Sequence, residues 1–186
     1  MKERKVQVFI AASLDGFIAG QDDDLSFLSL VETHGEDYGY HDFMKGIDCI
    51  VVGRKTFDWV VKETGTLPHP ETETWVFSRT RGMSQGNIRF TDENPASLVK
   101  RLKTGNGKGI YCEGGSEIIH QLLQANLVDE IILSLIPVML GNGTPLFLKN
   151  IPYQEWIPVS VRSFPSGLVQ LHYRLKKNQA GKQPEG

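Results

Sequence analysis

The chain has 186 residues, 40% of them hydrophobic and 23% charged, with a formal net charge of -2, which is enough chain to bury one core and an ordinary soluble composition. So even a balance excludes a broad basic footprint for nucleic acid or an anionic membrane, and no run approaches the ~20 apolar residues that span a bilayer. The two cysteines, Cys49 and Cys112, lie inside apolar runs and read as reduced core residues, neither disulfide nor metal pair, which suits a cytoplasmic protein.

Residues 1–14 imitate the start of a signal peptide, but Gln7 interrupts the short apolar run and Asp15-Gly16 follows at once, so export is not expected. Val6 to Ser13 reads as a buried strand entering a glycine-flanked loop that resumes at Phe17-Ile18-Ala19-Gly20. Asp22-Asp23-Asp24 lacks the spacing of a calcium loop and reads as solvated. Between Ser26 and Lys45, apolar residues are spaced for one or two helices over one sheet face, and His34, Glu36, His41 and Asp42 form no metal motif. The near-continuous apolar run 47–52 is the mark of a strand buried on both faces, and Gly53-Arg54-Lys55-Thr56 opens the next helix. Pro68 and Pro70 mark a surface loop, and residues 74–77 form a third strand ending at Ser78-Arg79-Thr80. A short strand at 88–91 precedes a helix at 96–103, which Asn94-Pro95 caps.

The strand-like run 109–113 ends at Gly114-Gly115, where Ser116 opens a helix reaching 127. Glycines there let a ligand approach backbone, and the first N–H groups of a helix lack intrahelical partners, so the turn is a phosphate site in waiting. Residues 128–136 form another strand, 144–147 lead into an irregular stretch, and 156–164 with 168–175 read as a hairpin around Pro165-Ser166-Gly167. A polar, disordered tail is expected from Lys176 onward, leaving 1–175 as one domain.

Alternating strands and helices predict an α/β fold with a mainly parallel, helix-flanked sheet, which binds ligands beyond the carboxyl ends of its strands. Arg54, Lys55 and Arg79 lie at such ends beside the Gly-Gly helix start, as a phosphorylated dinucleotide would require, although no G-x-G-x-x-G pattern is present.

These residues carry a resemblance. Ser13-Leu-Asp-Gly-Phe-Ile-Ala19, Val52-Gly-Arg-Lys-Thr-Phe57, Phe77-Ser-Arg79, Cys112-Glu-Gly-Gly-Ser116 and Asp129-Glu130 through Pro137 to Thr144 are similar, in order and spacing, to the dihydrofolate reductase superfamily. The nearer branch is that of the reductase domain of the riboflavin-biosynthesis deaminase-reductase. The resemblance spans residues 6–175 and implies a dihydrofolate-reductase-like three-layer fold and an NADPH-dependent reductase. It places Ala11 and the Asp15–Gly20 loop, Ile18 included, against the nicotinamide and its ribose. It places Gly53, Arg54, Lys55 and Thr56 on the phosphates, Ser78 and Arg79 on the 2′-phosphate side, and Gly114, Gly115 and Ser116 on the pyrophosphate. The expected reaction is hydride transfer to a C=O or C=N carbon of a small heterocycle of the ribosylaminouracil type, with Asp15 delivering a proton through water. The alternatives are a dihydrofolate or pteridine reductase and a non-catalytic NADP-binding protein. Asp37 is the nearest match to the pterin-binding carboxylate of folate reductases, and the lack of a better one predicts little dihydrofolate turnover. The zinc pattern of the deaminase is absent. A homodimer is expected through the apolar stretch 131–140, as relatives pair there.

Overall fold

The computed structural model describes residues 3–65, 69–80, 82 and 84–177. Its strands are β1 (Val6–Ser13), β2 (Phe17–Ala19), β3 (Ile47–Gly53), β4 (Glu73–Phe77), β5 (Ile88–Thr91), β6 (Gly109–Gly114), β7 (Glu130–Ile136), β8 (Thr144–Pro145), β9 (Trp156–Ser163) and β10 (Val169–Leu175). Its helices are α1 (Tyr40–Lys45), α2 (Arg54–Thr64), α3 (Pro95–Thr104) and α4 (Ser116–Gln124), with two 3₁₀ turns at Gln21–Asp23 and Ser26–Val31. Pro68 and the tail beyond Lys177 lie outside the described residues.

The strands of the main sheet run in the order β5-β4-β3-β6-β1-β7-β10-β9. The first six are parallel, and β10 turns antiparallel against β7 and β9. Period-two alternation divides each strand between two faces. Val6, Val8, Cys49, Val51, Ile110 and Cys112 pack with α3 and α4, through Leu98, Val99, Ile119 and Leu122. Ile50, Val52, Val76 and Tyr111 pack on the other face with Phe9, Tyr40 and Phe43 of α1 and Phe57 of α2. The run 47–52 is thus covered on both sides, as its composition predicts. Burial pushes both cysteine thiols up to about 12, so both stay protonated core residues.

The helix ends follow local chemistry. The Asn94 side chain accepts from Ser97 N–H at 3.2 Å with Pro95 in the first turn, and Gly65 ends α2 at φ 67°. Between Ser26 and Lys45, where one or two helices were expected, stand a 3₁₀ turn at Ser26–Val31 and the six-residue α1. Asp22, Asp23 and Tyr38 adopt positive φ, which breaks helical continuity. Thr144–Pro145 form the short strand β8, which pairs with β2, and no strand or helix follows until β9. The tail is also anchored at its root, because Lys176 pairs with Glu155 and Lys177 with Glu3.

Candidate active site at the strand ends

Two helices begin side by side where β3 and β6 end. α2 has Gly53 as its N-cap and α4 has Gly115, and neither cap residue supplies a side-chain hydrogen bond, so the first N–H groups of both helices face the crevice without a side-chain acceptor. The backbones are nearly in contact. A Cβ on Gly53 would sit 3.4 Å from Gly115 N, and one on Gly115 would sit 3.4 Å from Thr56 Oγ1. The peptide between Gly114 and Gly115 is cis. Two positive dipole ends, a hydroxyl and space cleared of side chains make a cradle that fits the pyrophosphate of a dinucleotide.

The basic residues stand around this cradle with different freedom. Arg54 Nε donates to both carboxylate oxygens of Asp58 at 2.7 Å and its guanidinium lies 5.3 Å from the Phe90 ring centroid. Lys55 is exposed and 3.7 Å from Asp23. Arg79 follows β4, is exposed, and has no carboxylate partner among the described residues. Ser78 closes a local turn, with its hydroxyl donating to Thr80 C=O at 2.7 Å; it must rotate to reach a ligand. Ser116 is likewise committed, donating to Pro145 C=O, so α4 offers backbone N–H groups and not this hydroxyl.

The loop after β1 closes the other side. Asp15 accepts from Ser13 Oγ at 2.6 Å, Leu140 N–H at 3.1 Å and Gly141 N–H at 2.7 Å. Leu14 N–H bonds Val138 C=O and Leu146 N–H bonds Gly16 C=O. The Ser13 hydroxyl first, then these backbone donors, hold the Asp15 carboxyl below the usual carboxylate range, which favours an ionised staple between two loops over a proton donor. Ala11 is half-buried beside Leu25 and Leu28. Ile18 packs into the core beneath α4, so it offers backbone to the crevice, and Gly20 N–H is bonded to Asp24 C=O.

Asp37 is exposed and caps α1: its carboxylate accepts from Gly39 N–H and His41 N–H, each at 2.8 Å. The His41 and Gly39 N–H groups hold its carboxyl below the usual range. It therefore does not supply an unpaired carboxylate to the crevice. Glu113 does. It is the last side chain of β6 before the glycine pair, and alternation sets it on the Tyr111 face while Cys112 enters the core. Desolvation alone raises its carboxyl to about 7, and it has neither hydrogen bond nor cation among the described residues. Its surroundings are aromatic. Tyr111 donates to Phe9 C=O at 3.0 Å, Tyr40 Oη lies 2.8 Å from His69 Nε2, and Phe43 packs edge-on to Tyr111. Burial, with the nearby Glu113 charge, holds the Tyr40 and Tyr111 hydroxyls well above their ordinary value, and burial lowers His69. Sequence reasoning passed Glu113 by as one letter of a glycine motif. The available signal was a lone carboxylate inside an apolar strand, immediately before a ligand-binding turn.

A cleft of about 370 Å³ lies between α1 and the strands β1, β9 and β10, bounded by Gln7, Phe9, Asp42, Phe43, Arg162, Gln170 and His172. Its inner wall is Phe9 and Phe43, which pack with Tyr111.

Comparison with known proteins agrees with this architecture. The family model described as the RibD C-terminal domain matches residues 4–170. The uncharacterized protein YwjB of Bacillus subtilis is 34% identical over 172 residues, covering 92% of this chain and 98% of that protein. YyaP of the same organism is 34% identical, covering 93% and 96%. The crystal structure of a putative riboflavin biosynthesis protein from Shewanella sp. PV-4 superposes with a TM-score of 0.84 at 26% identity, covering 93% of this chain and 99% of that one. A Thermotoga maritima diaminohydroxyphosphoribosylaminopyrimidine deaminase/5-amino-6-(5-phosphoribosylamino)uracil reductase shares the fold at TM-score 0.69 and 16% identity, this chain spanning 57% of it.

Proposed function

The chain belongs to the RibD C-terminal domain family, and from that premise we propose that it is an NADPH-dependent reductase acting on a C=O or C=N of a small heterocycle of the aminouracil type. The observation that carries this is the pair of uncapped helix starts in contact at the ends of β3 and β6, with a half-buried, unpaired carboxylate beside them. When bound, the nicotinamide supplies the hydride.

The chain's own residues do the rest. Backbone N–H groups at the starts of α2 and α4, with Gly53, Gly114, Gly115 and Thr56, hold the pyrophosphate. Arg54 and Lys55 lie on the bridging phosphates, Arg79 beside Ser78 on the 2′-phosphate, and Ala11 with the loop 15–20 on the nicotinamide ribose. Asp15 keeps that loop against residues 138–141. Glu113, poised near neutrality, gives a proton to the heteroatom of the reduced bond, the role matched to a general acid at that pKa. The aromatic wall of Phe9, Tyr40, Phe43 and Tyr111 orients the ring and keeps bulk water from Glu113. The enzyme works as a cytoplasmic homodimer.

A second reading, pteridine reduction, is favoured by Glu113 itself, a half-buried carboxylate with no partner, of the kind the sequence was expected to lack. Loss of NADPH absorbance against a panel of aminouracil, dihydropterin, dihydrofolate and simple carbonyl compounds separates the two. Aminouracil turnover is expected, with kcat lowered about 10²-fold or more by Glu113→Gln. Turnover of dihydropterin alone transfers the function to the second reading, and NADPH binding without turnover of any compound leaves a binding protein.

A further inference from the structure

On β9 and β10 the sheet is polar on the face that carries α1 and apolar on the other. Val161 and Leu171 stand with Leu133 on the far face, whereas Gln170 is opposite Arg162, and His172 opposite Ser160, on the face shared with Phe9 and Ile132. A sheet face beneath a helix is ordinarily apolar, because polar groups placed there lose water. Here they do not meet the helix: the cleft of about 370 Å³ lies over them, and clefts of this order hold small ligands.

The inner side of the cleft is flat and apolar. The Phe9 and Phe43 ring centroids lie 5.0 Å apart, and Ile132 is beside Phe9 on the floor. The outer side offers donors with nothing to receive them. Arg162 has no carboxylate partner among the described residues. Its guanidinium is nonetheless held in place, 4.8 Å from the Phe164 ring centroid and close against Gly39, where an added Cβ would sit 3.4 Å from Nη1. The Ser160 hydroxyl also has no hydrogen-bond partner among the described residues. The carboxylates nearby are already taken. Asp42 lies 2.7 Å from Lys45 Nζ, and Glu130 accepts from Lys5 at 2.6 Å and from Gln7 at 2.9 Å. Gln170 is buried and locked, its Nε2 donating to Tyr38 C=O at 3.0 Å and to Ser134 Oγ at 3.2 Å.

We propose that this cleft is a binding site for a small aromatic carboxylate, distinct from the cofactor cradle, with the ring against Phe9 and Phe43 and the carboxylate on Arg162 and Ser160. A guanidinium receives a planar carboxylate through two parallel N–H···O bonds, and an aromatic ring gains from edge or offset contact with the two phenylalanines. The site does not depend on the reductase reading, since none of its ligand-facing groups belongs to the two helix starts.

The test titrates the ¹⁵N-labelled full chain with sodium benzoate, and with benzamide and acetate as controls that lack the charge or the ring, reading backbone amide shifts. Benzoate is expected to shift the amides of Gly39, Gly46 and Arg162 saturably, and each control to bind at least about tenfold more weakly. Arg162→Gln, on an exposed side chain of the outer strand, is expected to weaken benzoate about tenfold, and Ser160→Ala about threefold. Absence of saturable shifts overturns the inference, as does an equal response to benzamide or acetate. Unchanged affinity in Arg162→Gln overturns it too. Shifts centred on Gly53 and Gly115 and abolished by NADPH would place the anion at the helix starts and leave the cleft empty.

Discussion

Glu113 is costly to the native state in a way that pH exposes. Its carboxyl titrates at about 7 in the fold against an ordinary value of 4.5, through desolvation. A raised folded pKa contributes stability that is fully present below the unfolded value and is lost as pH rises through the folded one. The window here therefore runs from about 4.5 to about 7, and each pKa unit corresponds to ~1.4 kcal/mol. Glu113→Gln removes the titration. Relative to the parent, the variant is expected to gain roughly 2–3 kcal/mol between about pH 5 and about pH 8 in urea unfolding. An unchanged difference between the two proteins at both pH values would mean that Glu113 is already solvated. Asp15 and Asp37 run the other way: their hydrogen bonds lower their pKa values, so what they contribute is present at neutral pH and lost in acid.

Among the elements, the turn after β4 gives the clearest expectation, because Arg79 is the basic side chain there with no carboxylate to leave. A charge-assisted hydrogen bond is worth about 1.5–3 kcal/mol and an exposed one the lower figure. Arg79→Ala is expected to weaken NADPH binding about tenfold, leave NADH binding nearly unchanged, and flatten the salt dependence of NADPH affinity, all measurable by fluorescence titration. Equal loss for both cofactors would move Arg79 to the pyrophosphate. Such turns were legible in sequence because a buried strand, a glycine or basic residue and a helix follow one another with characteristic periodicity. The stretch 20–39 was not, because its conformation is set by tertiary contacts: Phe27 and Val31 pack on Ile136 and Leu168, and Tyr38 reaches Val31 C=O and Ser166. Asp37 and Glu113 show the same limit in the crevice, since spacing alone cannot say which carboxylate a helix cap consumes and which a strand aims inward.

At the scale of the whole molecule, the helices leave one end of the sheet uncovered. Leu133 of β7, Leu171 of β10 and Val161 of β9 lie abreast across three strands, and Val161 is 63% exposed. An apolar sheet face of this kind is where we propose that two copies pair, with more of the surface coming from β9 and β10 than the stretch 131–140 alone suggested. Leu171→Glu is expected to halve the mass found by light scattering at micromolar concentration; a parent that is already monomeric removes the dimer. The strand order has one more consequence, for synthesis on the ribosome. β1 emerges first, yet its ladder partners are β6 and β7, the first of which begins at Gly109. The nascent chain therefore carries an apolar strand with both edges open until more than half of it has been made, and β6 must then enter between β1 and β3. Closing contacts over so long a loop is slow, and exposed strand edges are where chains associate wrongly. The central position that lets β1 floor the crevice is the same one that makes this chain dependent on its later half to fold at all.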